Sequence, residues 1–392
     1  MNQPVSLRQH IVFLGLRNAG KSSLVNAITG QKMSLVSEVK GTTTDPVLKS
    51  MEILPLGPVV IIDTPGIDDT GTLGQMRVAR ALEMLNRANC AVVVARAGRE
   101  LEPAEQELCQ ALNKRKIPYL VVYNKADQTT ASALAGQLWV SAKTGQGIQA
   151  FKEKLATLGE QTPMRPLVAD LVSAGDHVIL IVPIDEAAPK NRLILPQQMV
   201  LRELLDQHTR VLVMQPEELA DLSAEWWARI KLVITDSQVF GQVEKSVPKE
   251  MALTSFSILM ARFKGDLETL LAGYRQVAAL KDGDKILVSE GCTHHRQCGD
   301  IGTVKIPAWV QGYTHRKLQF EFAAGNTFPL DLSGYALVIH CGGCMLTERE
   351  MQSRLALCRA AGVPVVNYGM LIAGIHGILP RALAPLAVAD VR

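Results

Sequence analysis

The sequence lacks the features of a membrane, secreted or nucleic-acid-binding protein. Its longest apolar runs, such as residues 177–184, fall far short of the roughly 20 residues that a membrane span needs. Its first residues enter a strand pattern without the charged and apolar stretches of a signal peptide. It has no basic block, and its net charge is only +3, so nucleic acid is not an expected partner. We therefore expect a soluble, cytoplasmic protein that binds neither membrane nor nucleic acid.

The sequence also lacks the evenly spread cysteines of a disulfide-stapled protein. Seven cysteines are present, and five of them follow residue 290. The two early ones, Cys90 and Cys109, lie in apolar stretches and are expected to be small core residues. In a reducing compartment, the later cluster favours metal or redox chemistry over disulfides.

What the chain does have is the length and apolar content for several domains. Its 392 residues exceed the usual domain size of about 100–200 residues. Hydrophobic residues make up 47% of the chain and charged residues 20%, a balance that supports a buried core and excludes extensive disorder.

Short apolar runs alternate with helical patterns through residues 10–160. This alternation is typical of a doubly wound, mostly parallel sheet. The predicted strands are 11–14, 59–63, 91–95, 119–123 and 138–140, and the predicted helices include 21–29 and 104–114. Prolines without periodicity at 159–166 predict a linker. The fold class is therefore α/β, with a first domain at 1–160.

Two further α/β domains are predicted after the linker. The region 167–265 carries no clustered catalytic residue types and is interpreted as a packing or dimerisation domain; the region 266–392 carries the later cysteines. The predicted strands are 177–182, 210–214, 231–235, 285–289, 336–340 and 364–367, and the predicted helices are 197–207, 253–263 and 348–361.

A phosphate-binding motif follows the first strand. Residues 15–22 have the pattern G-x-x-x-x-G-K-S between a strand and a helix, as a P-loop requires. Gly15 and Gly20 let backbone N–H groups wrap the phosphates, and the next helix adds its N-terminus. Lys21 is expected to reach the β- and γ-phosphates, and the Ser22 hydroxyl, next to Ser23, is expected to bind Mg²⁺.

Four further elements stand in the order of a GTPase. The segment 63–66 (DTPG) predicts that Asp63 holds Mg²⁺ through water and that the Gly66 amide meets the γ-phosphate. The segment 41–45 (GTTTD) predicts a switch whose Thr43 binds the metal.

The last two elements predict guanine binding. In the segment 124–127 (NKAD), the Asp127 carboxylate is expected to accept from guanine, which disfavours adenine. The segment 141–143 (SAK) offers a backbone amide to the guanine oxygen. The residues predicted here to contact GTP or GDP are Asn124, Lys125, Asp127, Ser141, Ala142 and Lys143.

Residues 10–160 resemble the TrmE–Era branch of translation-factor-type GTPases. The P-loop carries Asn18, and the switch sequence GTTTD is close to that branch's GTTRD. The resemblance implies that Asn18 helps coordinate K⁺. Position 67, where Ras-like enzymes place a catalytic Gln, is Ile67. A K⁺ ion near Asn18 is therefore expected to neutralise charge between the phosphates, and turnover is expected to be slow.

A second constellation consists of cysteines and histidines in the last third of the chain. Cys292 and His294 follow one predicted strand, and His340, Cys341 and Cys344 follow another. If these strands are parallel neighbours, their carboxyl ends lie together, where ligand sites form in open α/β sheets. Scattered core cysteines, a structural Cys₃His zinc site and an iron–sulfur cluster all fit the local spacing.

The whole chain resembles the HydF family of [FeFe]-hydrogenase maturation GTPases. The resemblance rests on C-x-H, a gap of about 45–50 residues, and H-C-x-x-C, joined to an Era-like GTPase. It implies a [4Fe–4S] cluster on Cys292, Cys341 and Cys344, with His294 or His340 as possible fourth ligand. It also implies a homodimer that receives a diiron precursor from two radical-SAM maturases, HydE-like and HydG-like, and delivers it to apo-[FeFe]-hydrogenase.

Two other functions stay open at this stage. One is a zinc-binding TrmE–Era-type GTPase acting in ribosome or tRNA maturation, against which stands the absence of a basic RNA-binding extension. The other is a metabolic redox enzyme, for which no second cofactor motif can be placed.

Overall fold

The protein is described here by a computed structural model that covers residues 4–30, 47–54, 56–64, 84–159, 165–184, 192–292, 300–325 and 327–386. The chain divides into two compact units, Met1–Met164 and Arg165–Arg392. Among the described residues, no helix has the length and apolar character to cross a membrane.

The first unit is built on a six-stranded sheet in the order β2-β3-β1-β4-β5-β6. All neighbouring strands are parallel except β2 and β3. The strands are β1 (Gln9–Leu14), β2 (Val47–Ile53), β3 (Gly57–Asp63), β4 (Cys90–Arg96), β5 (Tyr119–Asn124) and β6 (Leu138–Trp139). The helices are Lys21–Thr29, Pro103–Lys114 and Ile148–Gly159.

Both faces of this sheet are buried, as the continuous apolar runs of its strands require. Ile11 and Phe13 pack on one face with residues of helices Lys21–Thr29 and Ile148–Gly159. Val12 and Leu14 pack on the other face with residues of helix Pro103–Lys114. Because β1 lies between β3 and β4, the strand order reverses at its carboxyl end, where open α/β sheets bind ligands.

The second unit contains two four-stranded parallel sheets, β10-β9-β7-β8 and β12-β11-β13-β14. Their strands are β7 (His177–Ile181), β8 (Arg210–Met214), β9 (Ile230–Thr235), β10 (Leu253–Ser255), β11 (Lys285–Glu290), β12 (Gln319–Ala324), β13 (Leu337–His340) and β14 (Val365–Asn367). The α-helices are Leu195–Asp206, Ala224–Trp227, Phe240–Ser246, Phe256–Lys264, Leu267–Arg275, Ile306–Thr314, Glu348–Ala361, Tyr368–Ile375 and Leu379–Leu383.

One hydrophobic core joins the two sheets of the second unit. It runs from Ile179 in β7 through Ile258 and Ile286 to Leu383. The regions 167–265 and 266–392 therefore keep separate sheets but pack as one body. Cys358 is buried in this core, whereas Cys90 belongs to the core of the first unit.

The predicted helix at 253–263 was wrong at its start. Leu253–Ser255 is a strand that pairs with β9, and the helix is Phe256–Lys264. The Ser255 hydroxyl accepts from the Ile258 N–H, so this side chain caps the helix and separates it from the strand.

Candidate functional site

The P-loop requires both of its glycines. Gly15 has φ +145°, and a Cβ there would lie 2.3 Å from the Val94 carbonyl oxygen. Gly20 has φ +89°, and a Cβ there would lie 2.4 Å from Asn124 Nδ2. The Lys21 ammonium is 8% exposed and donates to the Gly15 and Leu16 carbonyls at 2.9 and 3.0 Å. The loop thus holds its cation inside the turn where phosphates are expected.

A cation site is outlined beside the P-loop. The Ser22 hydroxyl donates to Asp63 Oδ2 at 3.1 Å, while Asp63 Oδ1 is buried and has no hydrogen-bond partner among the residues that the structure describes. Burial raises the pKa of Asp63, against the opposing effects of the Ser22 hydrogen bond and the Lys21 charge. A buried carboxylate with one oxygen left open fits Mg²⁺, which prefers oxygen ligands.

The guanine motifs line a pocket of about 670 Å³ together with Gly20 and Ser23. Asn124 connects the P-loop to the segment 141–143. Its Nδ2 donates to the Ala19 carbonyl at 3.1 Å, and its Oδ1 accepts from the Ala142 N–H at 3.1 Å. The Ser141 hydroxyl donates to Asp127 Oδ1 at 2.6 Å and lowers the pKa of that carboxylate. The phosphate loop and the two base motifs are therefore held in one arrangement, and Lys125 and Lys143 also line the pocket.

Some predicted residues of this site cannot be placed. Thr43 and its switch segment, Gly66 and Ile67 lie outside the described residues. Asn18 is described; it is exposed and has φ +60°, a left-handed conformation that asparagine tolerates better than most residues.

The cysteines lie at the carboxyl ends of two neighbouring strands. β11 and β13 are parallel partners, with Ser289 opposite His340, and β12 pairs on the other side of β11. The strand order therefore reverses between β11 and β13, which opens a crevice at their carboxyl ends. Cys292 closely follows β11 and Cys341 directly follows β13.

Two backbone N–H groups donate hydrogen bonds to a cysteine sulfur in this crevice. The Gly291 and Gly343 N–H groups donate to Cys341 Sγ at 3.1 and 3.3 Å. Burial raises the pKa of the Cys341 thiol to about 12; these two bonds oppose the shift, and the nearby Cys344 and Cys292 thiols add to it. Cysteine sulfurs that accept hydrogen bonds from backbone N–H groups suit an iron–sulfur cluster or zinc.

The three thiols follow two neighbouring strands but do not form a metal site as they stand. Among the described residues, no three His, Cys, Asp or Glu side chains form a group that could hold a metal ion as they stand. His294 and Cys298 lie outside those residues. Metal binding therefore requires the thiols to lose protons and draw together.

Both ring nitrogens of His340 have protein partners, so its geometry does not favour the predicted role as fourth ligand. Its ring is 1% exposed; Nδ1 lies 2.8 Å from the Cys341 carbonyl oxygen, and Nε2 lies 3.1 Å from Arg354 Nη1. Burial and the Arg354 charge lower the pKa of His340 to about 3. A neutral ring that donates through Nδ1 and accepts through Nε2 has no lone pair left for iron.

Sequence analysis missed Lys264, which supports the C-x-x-C loop. This side chain is 1% exposed, and its ammonium donates to the carbonyls of Gly343, Cys344 and Leu346 at 3.3, 2.9 and 2.7 Å. Burial lowers its pKa to about 8, and the Cys344 and Cys341 thiols oppose that shift. The available signal was a lysine at the end of a helix that is otherwise mostly apolar.

The P-loop, the Ser22–Asp63 pair and the base pocket define the first unit as a P-loop GTPase, and the second unit is an α/β unit that carries the thiols. Residues 10–125 match the family model described as 50S ribosome-binding GTPase. Residues 167–265 match the hydrogen maturase F dimerization domain, and residues 268–385 match its tetramerization domain. The chain belongs to the hydrogen maturase F (HydF) family of hydrogenase-maturation GTPases and carries that family's oligomerisation domains.

Relatives outside this family match the GTPase part. The tRNA modification GTPase MnmE of Dichelobacter nodosus is 35% identical over 157 residues, which cover 38% of this chain and 34% of that protein. MnmE of Legionella pneumophila (strain Corby) is 36% identical over 163 residues, which cover 39% and 35%. The match thus spans about a third of each relative.

A solved structure of Aquifex aeolicus Era bound to GDP·AlF₄⁻ covers 61% of this chain and 97% of its own. Its sequence identity is 19% and its TM-score is 0.34, a likeness too low to support an inference about function.

Proposed function

We propose that this chain is a GTP-hydrolysing scaffold that binds a [4Fe–4S] cluster through Cys292, Cys341 and Cys344. It would carry a diiron precursor on the second unit and transfer it to apo-[FeFe]-hydrogenase. The observation that supports the proposal most is the crevice between β11 and β13, where N–H groups already donate to Cys341 Sγ. The transfer to a hydrogenase is proposed because the chain belongs to the HydF family.

In the first unit, the geometry supports the proposed roles of Lys21, Ser22, Asp63 and Asp127, and the sequence motif alone supports that of Thr43. Lys21 neutralises the β- and γ-phosphates, while Ser22, Thr43 and Asp63 hold Mg²⁺ directly or through water. Asp127 selects guanine, because its Oδ2 is left for the base once Oδ1 has accepted from Ser141. Hydrolysis acts as a switch: the GTP-bound and GDP-bound states bias the contacts that the second unit makes with partners.

In the second unit, three thiolates leave one iron with an exchangeable ligand. Such a position is what a carrier needs, since the precursor must bind and leave. His294 remains a candidate for that position, whereas both nitrogens of His340 have protein partners. The proposed partners are HydE-like and HydG-like radical-SAM maturases, the apo-hydrogenase and a second copy of this chain.

Maturation of an [FeFe]-hydrogenase tests this proposal. We expect hydrogen evolution when the hydrogenase is coexpressed with the two radical-SAM maturases and this chain. Cys341→Ser should reduce it at least about a hundredfold, because one of three cluster thiolates is lost. Cys341→Ser should keep wild-type GTP hydrolysis, since the sites belong to different compact units. Cys358→Ala, which changes a cysteine buried in a helix, is the control; equal maturation by Cys341→Ser and wild type would contradict the proposal.

The role proposed for Asn18 predicts cation-dependent turnover. GTP hydrolysis should be about tenfold faster in K⁺ than in Na⁺, equivalent to about 1.4 kcal/mol of transition-state stabilisation. Asn18→Ala should abolish that difference and leave GTP affinity nearly unchanged. Steady-state rates in matched KCl and NaCl buffers measure it, and equal rates for the wild type would remove K⁺ from the account.

A further inference from the structure

Two buried polar side chains lie at the end of β14, at the edge of the thiol crevice: Asn367 is its last residue and Tyr368 follows it. Asn367 pairs with His340 in the β13–β14 ladder, so Tyr368 is placed beside the start of the C-x-x-C loop. Tyr368 is 5% exposed, and in the described part of the chain its hydroxyl is buried with no hydrogen-bond partner. An unsatisfied buried hydroxyl is destabilising, so its presence calls for a ligand or a group that binds later.

The surroundings of the hydroxyl point toward the thiols. A Cβ on Gly302 would lie 2.7 Å from the Tyr368 hydroxyl and 2.5 Å from Glu290 Oε1, so both oxygens border the same small space. Glu290 immediately precedes Gly291, whose N–H donates to Cys341 Sγ at 3.1 Å. Burial is the largest effect that raises the pKa of Tyr368, and the Cys341 thiol, the Glu290 and Asp300 carboxylates and the Cys292 thiol add to it.

The Tyr368 hydroxyl is a hydrogen-bond donor, which suits the negative charge of the expected iron–sulfur cluster. In the described part of the first unit, Asp63 Oδ1 has no hydrogen-bond partner and is an acceptor at a cation site. At the thiol crevice, the Tyr368 hydroxyl and the neighbouring Asn367 Nδ2 have no partner among the described residues, and both are donors, because a phenol is protonated at neutral pH. A cubane on three thiolates is anionic, and hydrogen bonds to its sulfurs are known determinants of reduction potential.

We infer that the Tyr368 hydroxyl donates a hydrogen bond to a sulfur of the cluster held by Cys292, Cys341 and Cys344, and thereby raises its reduction potential. This inference rests on the proposed function. Tyr368 is then a positioning and tuning residue whose hydrogen-bond partner arrives with the cluster. The bond favours the reduced cluster, which carries more negative charge on sulfur.

The test is Tyr368→Phe, which removes one oxygen and little volume. After anaerobic reconstitution, iron and sulfide per chain should equal wild type, while the reduction equilibrium shifts about tenfold toward the oxidised cluster, or about 59 mV for one electron. Without cluster, Tyr368→Phe should melt at the same or a higher temperature than wild type, because the lost hydroxyl had no partner. Electron–nuclear double resonance in D₂O should lose one exchangeable-deuterium coupling.

Tyr335→Phe is the matched control. The Tyr335 hydroxyl has a partner, the Glu321 carboxylate, so its loss should lower the melting temperature and leave the cluster potential unchanged. An unchanged potential in Tyr368→Phe would overturn the inference, and so would a folded Tyr368→Phe chain that binds no cluster, since the oxygen would then be a ligand. Wild-type protein that takes up zinc without a cluster would instead show that the proposed function itself fails, and this inference with it.

Discussion

Lys264→Met is expected to lose most of its cluster iron while GTP hydrolysis stays at the wild-type rate. The Lys264 ammonium is buried and donates to three carbonyls of the loop that carries Cys341 and Cys344. A methionine fills the same volume but leaves those carbonyls without their donor. Since a hydrogen bond to a charged group contributes about 1.5–3 kcal/mol net, we expect the second unit to lose about 2–4 kcal/mol of unfolding free energy.

Lys264→Met also removes a positive charge that acts on the Cys344 thiol. The Lys264 charge opposes the effect of burial on the pKa of Cys344, so the cation favours the thiolate that iron needs. Iron content and denaturant unfolding measure the two effects separately. Lys249→Met, which changes a lysine whose side chain is 81% exposed, is the matched control. Wild-type iron content in Lys264→Met would show that the loop holds its shape without this cation.

Asp127→Asn is expected to weaken GTP binding by at least about a hundredfold, or about 2.8 kcal/mol. The carboxylate accepts from the guanine N1–H and exocyclic amine in the proposed arrangement, and charge-assisted bonds of this kind contribute about 1.5–3 kcal/mol each. An asparagine presents a donor where the base also presents donors. XTP, which carries a carbonyl in place of the exocyclic amine, should bind the variant better than GTP does.

Fluorescence competition measures the affinities of the wild type and of Asp127→Asn for GTP and for XTP. Glu153→Gln, which removes an exposed carboxylate on helix Ile148–Gly159, is the control and should bind GTP normally. If Asp127→Asn kept its preference for GTP, the base would be read by another group of the pocket.

The P-loop and the thiol edge could be predicted because each depends on local sequence next to a strongly apolar strand. Gly15 and Gly20 have the positive φ angles that favour glycine in a turn, and Cys341 directly follows a strand whose residues are all buried. Three of the described strands were not predicted. β2 and β12 are edge strands with exposed residues, so neither gives the continuous apolar run that marked their neighbours. The third, β10, has only three residues and runs directly into a helix, so it was predicted as the start of that helix.

The roles of His340, Lys264 and Tyr368 could not be predicted from the sequence because tertiary contacts decide them. Histidine is a common metal ligand, but His340 Nε2 lies 3.1 Å from Nη1 of Arg354, a residue 14 positions further along the chain. Lys264 reaches a loop about 80 residues further along the chain. The Tyr368 hydroxyl is notable because it is buried and has no hydrogen-bond partner in the part of the chain that the structure describes, and sequence patterns do not reveal a missing partner.

We propose that the second unit holds an iron–sulfur cluster on three cysteines, and chemical analysis can decide this. Iron, sulfide and zinc are measured in the anaerobically reconstituted full chain, and EPR spectra are recorded after reduction. We expect about four iron and four sulfide per chain, a reducible cubane signal, and loss of both in Cys341→Ser. One zinc per chain with no reducible signal would contradict it and favour a zinc-stabilised GTPase.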